Sequence, residues 1–206
     1  MSEAPEIAED AISVVPGVWH WRISNSAIGG STSSSQAVAD GGGSVLIDPV
    51  RLAPQALATL PRPSATVITA RCHQRSAWRY RQELGAGVWA PTGAPAADEE
   101  PDHRYGEGDL LPGGLRAVHT PGPEPVHYCL LREGDPGVLF CSDLLTSSAD
   151  GSLHYVPLKY HDDPDQTRRS VRALLDLPFT VLCLDHGPPV TGDPRGAIET
   201  LLGSDE

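Results

Sequence analysis

The stretch VITARCHQRSAW, residues 67–78, passes from a β-branched apolar run into a turn rich in His and Arg, then into helix-forming residues. Val67, Ile68 and Thr69 predict the end of a buried strand, because β-branched side chains lose little freedom on a pleated surface. Residues 76–84 predict a helix, and Gly85 supplies the residue that can take a left-handed conformation just past its end. A strand-to-helix turn of this kind carries chemistry in many α/β proteins, since free N–H groups and loop side chains meet there.

Similar signals repeat on both sides of this turn. Residues 12–15 and 18–23 alternate as strands about a Pro16-Gly17 turn. Residues 29–35, GGSTSSS, read as a small-residue loop, residues 35–39 as a short strand and residues 39–43 as a turn. Residues 44–48 are an apolar strand ending in Asp48, and a short helix follows over about residues 53–60. Strands are predicted at 88–90, 115–119, 128–131, 138–141 and 181–184, and helices at 165–175 and 196–202. Residues 92–108 and 146–163 are polar or Pro/Ala-rich and read as irregular. Two runs of strands, each closing with helices, predict an α/β fold of two sheets packed face to face with helices outside. The expected organisation is one domain over residues 12–206 with a frayed N-terminus over residues 1–11.

Composition bounds the function. The chain has 206 residues, of which 39% are hydrophobic and 20% charged, and a net charge of −12, a balance that suits a folded globular domain. So acidic a chain repels phosphate backbones, which argues against nucleic acid as a partner. It has no apolar run long enough to span a membrane, and its acidic start lacks the apolar core of a signal peptide. A cytoplasmic location is therefore expected, and a homo-oligomer is compatible with everything above. Cys129, Cys141 and Cys183 sit in apolar runs as expected for buried reduced thiols, whereas Cys72 lies in the turn. No phosphate-binding loop is present, and Ser142 does not sit in a Gly-x-Ser-x-Gly elbow.

Five units in order carry a resemblance. They are an apolar strand ending at Asp48, a strand running through Thr69 into the turn, HTPGPEPVHYCLL at 119–131, VLFCSDLL at 138–145 and VLCLDHGPPVTGD at 181–193. In this order and spacing the chain resembles the metallo-β-lactamase superfamily, an αββα sandwich of metal-dependent hydrolases. The resemblance covers roughly residues 12–202. In that family the turn typically reads Thr-His-x-His-x-Asp-His, and a further histidine follows Thr-Pro-Gly. Here those ligand positions hold Ala70, Cys72, Gln74, Arg75 and Pro123, while Asp143 and His186 keep the family's types. Zinc takes N, O or S donors, so Ala and Pro cannot serve, and a fixed guanidinium opposes a dication. The two-metal centre that the family implies is expected to be absent.

Three occupants of the site follow. Arg75 can neutralise Asp143 as a charge substitute. Cys72, Asp143 and His186 can hold a single zinc ion with water in the fourth place. Arg71, His73, Arg75 and Arg79, near a helix N-terminus, can attract a small anionic molecule. The turn Thr69-Ala70-Arg71-Cys72-His73-Gln74-Arg75 also resembles a branch of the superfamily reading Thr-x-Arg-x-His-x-Arg, which gives His73 a hydrogen-bonding role across the turn. His127 stands where a residue orienting the Thr-Pro-Gly loop is expected. The candidate catalytic residues are Asp143, His186 and His73, and the candidate ligand-binding residues are Arg71, Arg75 and His127. No cofactor is expected, with one zinc ion on Cys72, Asp143 and His186 as the alternative. The corresponding functions are a non-metal ligand-binding or regulatory protein and, as the alternative, a mononuclear hydrolase of ester, thioester or lactam-like bonds.

Overall fold

The computed structural model describes residues 3–94 and 99–204. The chain opens with β1 (Ile12–Val15), β2 (Val18–Asn25), β3 (Ser31–Asp40) and β4 (Gly43–Ile47), which pair antiparallel in order. The short helix α1 (Pro54–Leu57) leads to β5 (Pro63–Val67), and α2 (Ala77–Leu84) leads to β6 (Gly87–Pro91) and β7 (His103–Tyr105). Strands β4 to β7 run parallel and complete a seven-stranded sheet. The second half has β8 (Leu110–Leu111), β9 (Leu115–His119), β10 (Tyr128–Arg132) and β11 (Val138–Cys141). Then come the hairpin β12 (Leu145–Ser147) and β13 (Leu153–Tyr155), α3 (Pro164–Ala173), β14 (Val181–Leu184) and α4 (Pro194–Gly203). The second sheet has the order β14-β11-β10-β9-β8, with β14 parallel to β11.

Period-2 patterning assigns each strand two jobs. Val38, Val45, Ile47 and Val67 of the first sheet meet Leu115, Leu130, Phe140 and Val181 of the second in the central core. The opposite faces carry the helices. Leu131, Leu139, Leu182 and Leu184 pack with Val171 of α3 and Ile198 of α4. Trp21, Leu46 and Ala37 pack with Tyr80 of α2 and Ala56 of α1. The result is the expected αββα sandwich, closed on both outer faces by helices. Asp163 and Asp193 each accept a backbone N–H (2.8 and 2.9 Å) at the starts of α3 and α4, with Pro164 and Pro194 in the first turn. Gly85 closes α2 in a left-handed conformation, as expected. Among the described residues no helix is long and apolar enough to cross a membrane.

Four local readings differ from expectation, each for a physical reason. The Ser-rich segment expected as a loop lies in β3 from Ser31 onward. Its hydroxyls are buried but partnered, with Ser33 taking Asn25 Nδ2 (3.0 Å) and Ser35 donating to the Asp48 carbonyl (2.7 Å), so a polar segment is stable in the interior. The N-terminal segment, expected to fray, is docked from Glu3 onward among the described residues. Ala8 pairs with the backbone at Arg51 and Ala53, and Glu3 makes a two-pronged ion pair with Arg79 at 2.7 and 2.6 Å. Within the stretch expected as irregular, residues 103–105 add β7 to the sheet edge. The loop expected at 146–163 contains most of the β12–β13 hairpin.

Two glycines fix close approaches around the site. At Gly122 (φ 137°) a Cβ would collide with Thr167, and at Gly187 (φ 120°) with Ser147. Both lie in motifs that carry the resemblance, Thr-Pro-Gly and Asp-His-Gly. Gly122→Ala is expected to lower unfolding free energy by about 3 kcal/mol, through strain and a backbone clash together. Gly203→Ala, where a Cβ meets open space, should change it by less than about 0.5 kcal/mol. Chemical denaturation of the two variants checks the contrast.

Candidate functional site

Strand ends from both sheets meet at one edge of the sandwich. β4 ends next to Asp48, and β5 runs on through Ile68 to Thr69 and the 3-10 turn Arg71–His73. β11 ends at Cys141, next to Ser142 and Asp143, and β14 ends at Leu184, next to Asp185 and His186. Asp48 (φ 44°) and Arg75 (φ 40°) are the non-glycine residues with left-handed backbone among those described, and both lie here. Such backbone is strained in non-glycine residues and persists only where the surroundings hold it.

His73 is the hub. It is buried, and its Nδ1 lies 3.0 Å from Asp185 Oδ2, 3.2 Å from Asp48 Oδ2 and 2.9 Å from Ser142 Oγ. Its Nε2 lies 3.2 Å from Asp143 Oδ1. Burial disfavours the charged ring, but Asp143 and Asp48 outweigh it and hold the imidazole well above its ordinary pKa. The surroundings of His73, three carboxylates within 3.2 Å, thus favour the protonated ring. Asp143 and Asp48 are held below the usual range in turn: burial would raise both, and the His73 charge overcomes it, well below in the case of Asp143. Asp185 goes the other way, pushed up to about 6 by burial and by the nearby Asp48. Its Oδ2 has close ion-pair contacts but no well-aligned hydrogen bond.

Arg75 does not neutralise Asp143 as expected. Its Nη1 donates to the carbonyls of Ser34 (2.6 Å) and Asp48 (2.8 Å), and its Nη2 lies 3.3 Å from Asp185. The left-handed backbone at Arg75 accompanies this direction, underneath the site. Asp143 is held instead by His73, by His186 Nε2 at 3.0 Å and by the Cys72 thiol at 3.4 Å. His186 Nδ1 donates to the Thr32 carbonyl at 2.7 Å. His127 takes the Asp143 N–H on Nε2 (3.1 Å) and gives its Nδ1 proton to the Thr120 carbonyl (2.8 Å). Burial pushes it down to about 4, so it is neutral, and it lies outside the cavity lining. It positions Asp143 and does not reach a ligand.

Above these groups lies a cavity of about 1010 Å³, lined on its floor by Cys72, His73, Asp143 and His186. Arg71 stands at its side, paired through Nε with Glu124 at 2.7 Å. Burial raises the Glu124 pKa. Arg79, grouped with the turn cations from the sequence, is instead committed to Glu3 and Glu83. Asp185 and Ser34 were not anticipated. The signal for Asp185 was present, since it follows an apolar strand just as Asp48 follows β4.

The positions that would hold two metals do not fit them. Ala70 and Pro123 bring no side-chain donor. Gln74 is turned away, its Oε1 accepting from Trp78 Nε1 (3.0 Å) and its Nε2 donating to the Arg71 carbonyl (3.2 Å). Arg75 places a guanidinium below the site. What remains is a smaller set, Cys72, His73 and Asp143, whose donor atoms lie within 4.8 Å of one another. His186 reaches Asp143 but does not join that set.

Two expected outcomes test this arrangement. Arg75→Ala strands Asp185 and two carbonyls and should cost about 3 kcal/mol of stability, with Arg75→Lys recovering only part; thermal and denaturant melts report it. The second concerns acid. His20 is buried with no partner for Nε2, and burial pushes it down to about 4, as for His127. A histidine depressed in the fold contributes stability above its unfolded pKa near 6.5, lost as pH falls towards 4, by about 3 kcal/mol when complete. The raised His73 contributes fully only below about 6.5 and gains slightly as pH falls from 7, and the raised Asp185 likewise acts in the opposite direction to His20. The fall in Tm between pH 7 and 4.5 should therefore be smaller in His20→Leu than in the parent protein.

Comparison with known proteins agrees with the fold. The sequence profile of the metallo-beta-lactamase superfamily matches residues 61–186. Among solved structures, DIM-1 metallo-beta-lactamase exposed to ceftazidime superposes with a TM-score of 0.72 at 16% identity, over 99% of this chain and 100% of that one. The FIM-1 metallo-beta-lactamase from Pseudomonas aeruginosa, in its mono-zinc form, gives 0.67 at 16% identity, over 97% and 96%. A metallo-beta-lactamase family protein from Thermus thermophilus gives 0.66 at 18% identity, over 94% and 80%. No curated protein matches the sequence. With its sheet order, its strand-end carboxylates and the matched segment in agreement, the chain belongs to the metallo-beta-lactamase superfamily.

Proposed function

We propose that this protein uses the metallo-beta-lactamase fold without a two-metal centre, as a binding or regulatory module for a small anionic molecule held in the cavity. The observation that carries the reading is His73. Its imidazolium lies within 3.2 Å of oxygens on Asp48, Asp143 and Asp185, a place where carboxylates need a positive charge and a proton supplies it. With Arg75 beneath, the chain's own two cations offset most of the charge of the three carboxylates. Arg71, at the cavity side, then offers charge to a ligand.

A second reading is supported by the Cys72, His73 and Asp143 donor set. A single zinc ion there would supply Lewis-acid chemistry to a hydrolase of ester, thioester or lactam-like bonds. His73 takes the place first given to His186, and its Nδ1 contacts to Asp48 and Asp185 resemble the outer partners of a ligating histidine.

Elemental analysis of untagged protein, offered zinc and then dialysed, separates the two. The first reading expects metal well below one ion per chain and a Tm unmoved by a chelator. Near-stoichiometric zinc that disappears in Cys72→Ala would overturn it in favour of the second.

A further inference from the structure

We infer that the cavity takes an amphipathic organic anion, a carboxylate head on an extended apolar body. This rests on the reading of the cavity as a metal-free binding site. The charge argument starts from the floor. His73 and Arg75 face Asp48, Asp143 and Asp185 at 3.3 Å or less or through the Asp48 carbonyl, two cations against three carboxylates, so the floor has no positive charge left for a ligand. The rim has. Arg51, Arg71 and Lys159 all line the cavity, and Lys159 is the single lysine of a chain of net charge −12.

Among the described residues no carboxylate forms an ion pair with Arg51 or Lys159. Lys159 Nζ lies over the Tyr160 ring at 4.8 Å. Arg71, with a side chain 59% exposed, gives Nε to Glu124, and no described acceptor takes its terminal nitrogens. A guanidinium with both terminal nitrogens open matches the fork of a carboxylate.

The apolar half of the argument comes from the walls. Ile28, Val50, Val156, Pro157 and Tyr160 line the same cavity, and Tyr160 is 68% exposed. A large exposed aromatic beside cations with open donors is a fitting surface for a ligand with both characters. The volume, about 1010 Å³, exceeds what acetate or phosphate fills. A small inorganic anion would leave these walls in water, whereas an extended acid covers them.

The test is calorimetric titration of the full chain after dialysis against a chelator. The probes are decanoate and cholate as amphipathic carboxylates, acetate and inorganic phosphate as small anions, and decylamine and decanol as apolar controls. At least one of the two amphipathic acids should bind, with acetate, phosphate, decylamine and decanol each at least tenfold weaker. Lys159→Met and Arg71→Met should each weaken the acid at least tenfold, and Arg172→Met, exposed on α3, should not. Equal binding of decanol would overturn the anion half, and equal binding of acetate or phosphate the apolar half. Failure of every carboxylate, with the Tm intact, would reject the ligand class while leaving the metal-free reading standing. Binding that requires added zinc would instead reject the metal-free reading.

Discussion

The position of His73 governs this edge of the molecule. Asp48 comes from the first sheet, and Asp143 and Asp185 come from the second. Each carboxylate hangs from the end of a strand whose side chains are packed in the central core, so none can retreat into water without moving its strand. Three acidic groups held together in low dielectric cannot all ionise without a cation among them. His73, carried on a turn between β5 and α2, meets all three and ties the two sheets at one point. The raised pKa of Asp185, about 6, shows how close this balance is. Burial and the ionised Asp48 beside it drive the third carboxyl towards its proton.

Arg75 solves the other half of the problem, which is geometric. A guanidinium pointing into the cavity would take Asp143 away from His73 and His186. The left-handed backbone at Arg75 accompanies a course beneath the turn, where the side chain spans the Ser34 and Asp48 carbonyls and reaches Asp185. Ser34 in turn binds the β14 loop, with its N–H on the Asp185 carbonyl (2.7 Å) and its hydroxyl on the Gly187 carbonyl (3.1 Å). One cation thus connects β3, β4 and the end of β14. The buried run Ser33-Ser34-Ser35 finds a hydrogen-bond partner for each hydroxyl, on Asn25, the Gly187 carbonyl and the Asp48 carbonyl.

Much of this fold was legible in the sequence because strand ends announce themselves. Apolar runs closing in Asp48, Asp143 and Asp185-His186, and the glycines at 122 and 187, are local signals with local causes. The Ser-rich part of β3 was not legible. Its residues carry the composition of a loop, and what stabilises them is hydrogen bonding to groups up to 153 positions away in the chain. The partner of Arg75 was hidden for a similar reason. A ligand-position alignment places the residue near Asp143 but says nothing of its backbone angle, and it is the angle that accompanies its turn towards Asp185. His127 was legible as a positioning residue from its place after the Thr-Pro-Gly loop, but its burial outside the cavity lining was not.

The chemistry of the cavity follows from where the charge is neutralised. In a metal centre the floor supplies the positive field, and the walls need only shape the substrate. On the proposed metal-free reading the floor's two cations are taken up by three carboxylates. Their fields partly cancel over a few ångströms, so a ligand above them would find no net positive charge below. The electrostatic character passes to the rim, where Arg51, Arg71 and Lys159 stand against Glu124. On that reading the substitutions at the family's metal-donor positions would move the selective charge outward, from the floor to the rim. An anion held at that height would keep its apolar body against Val156, Pro157 and Tyr160 and its head away from Asp143. That arrangement favours retention of a ligand over attack on it.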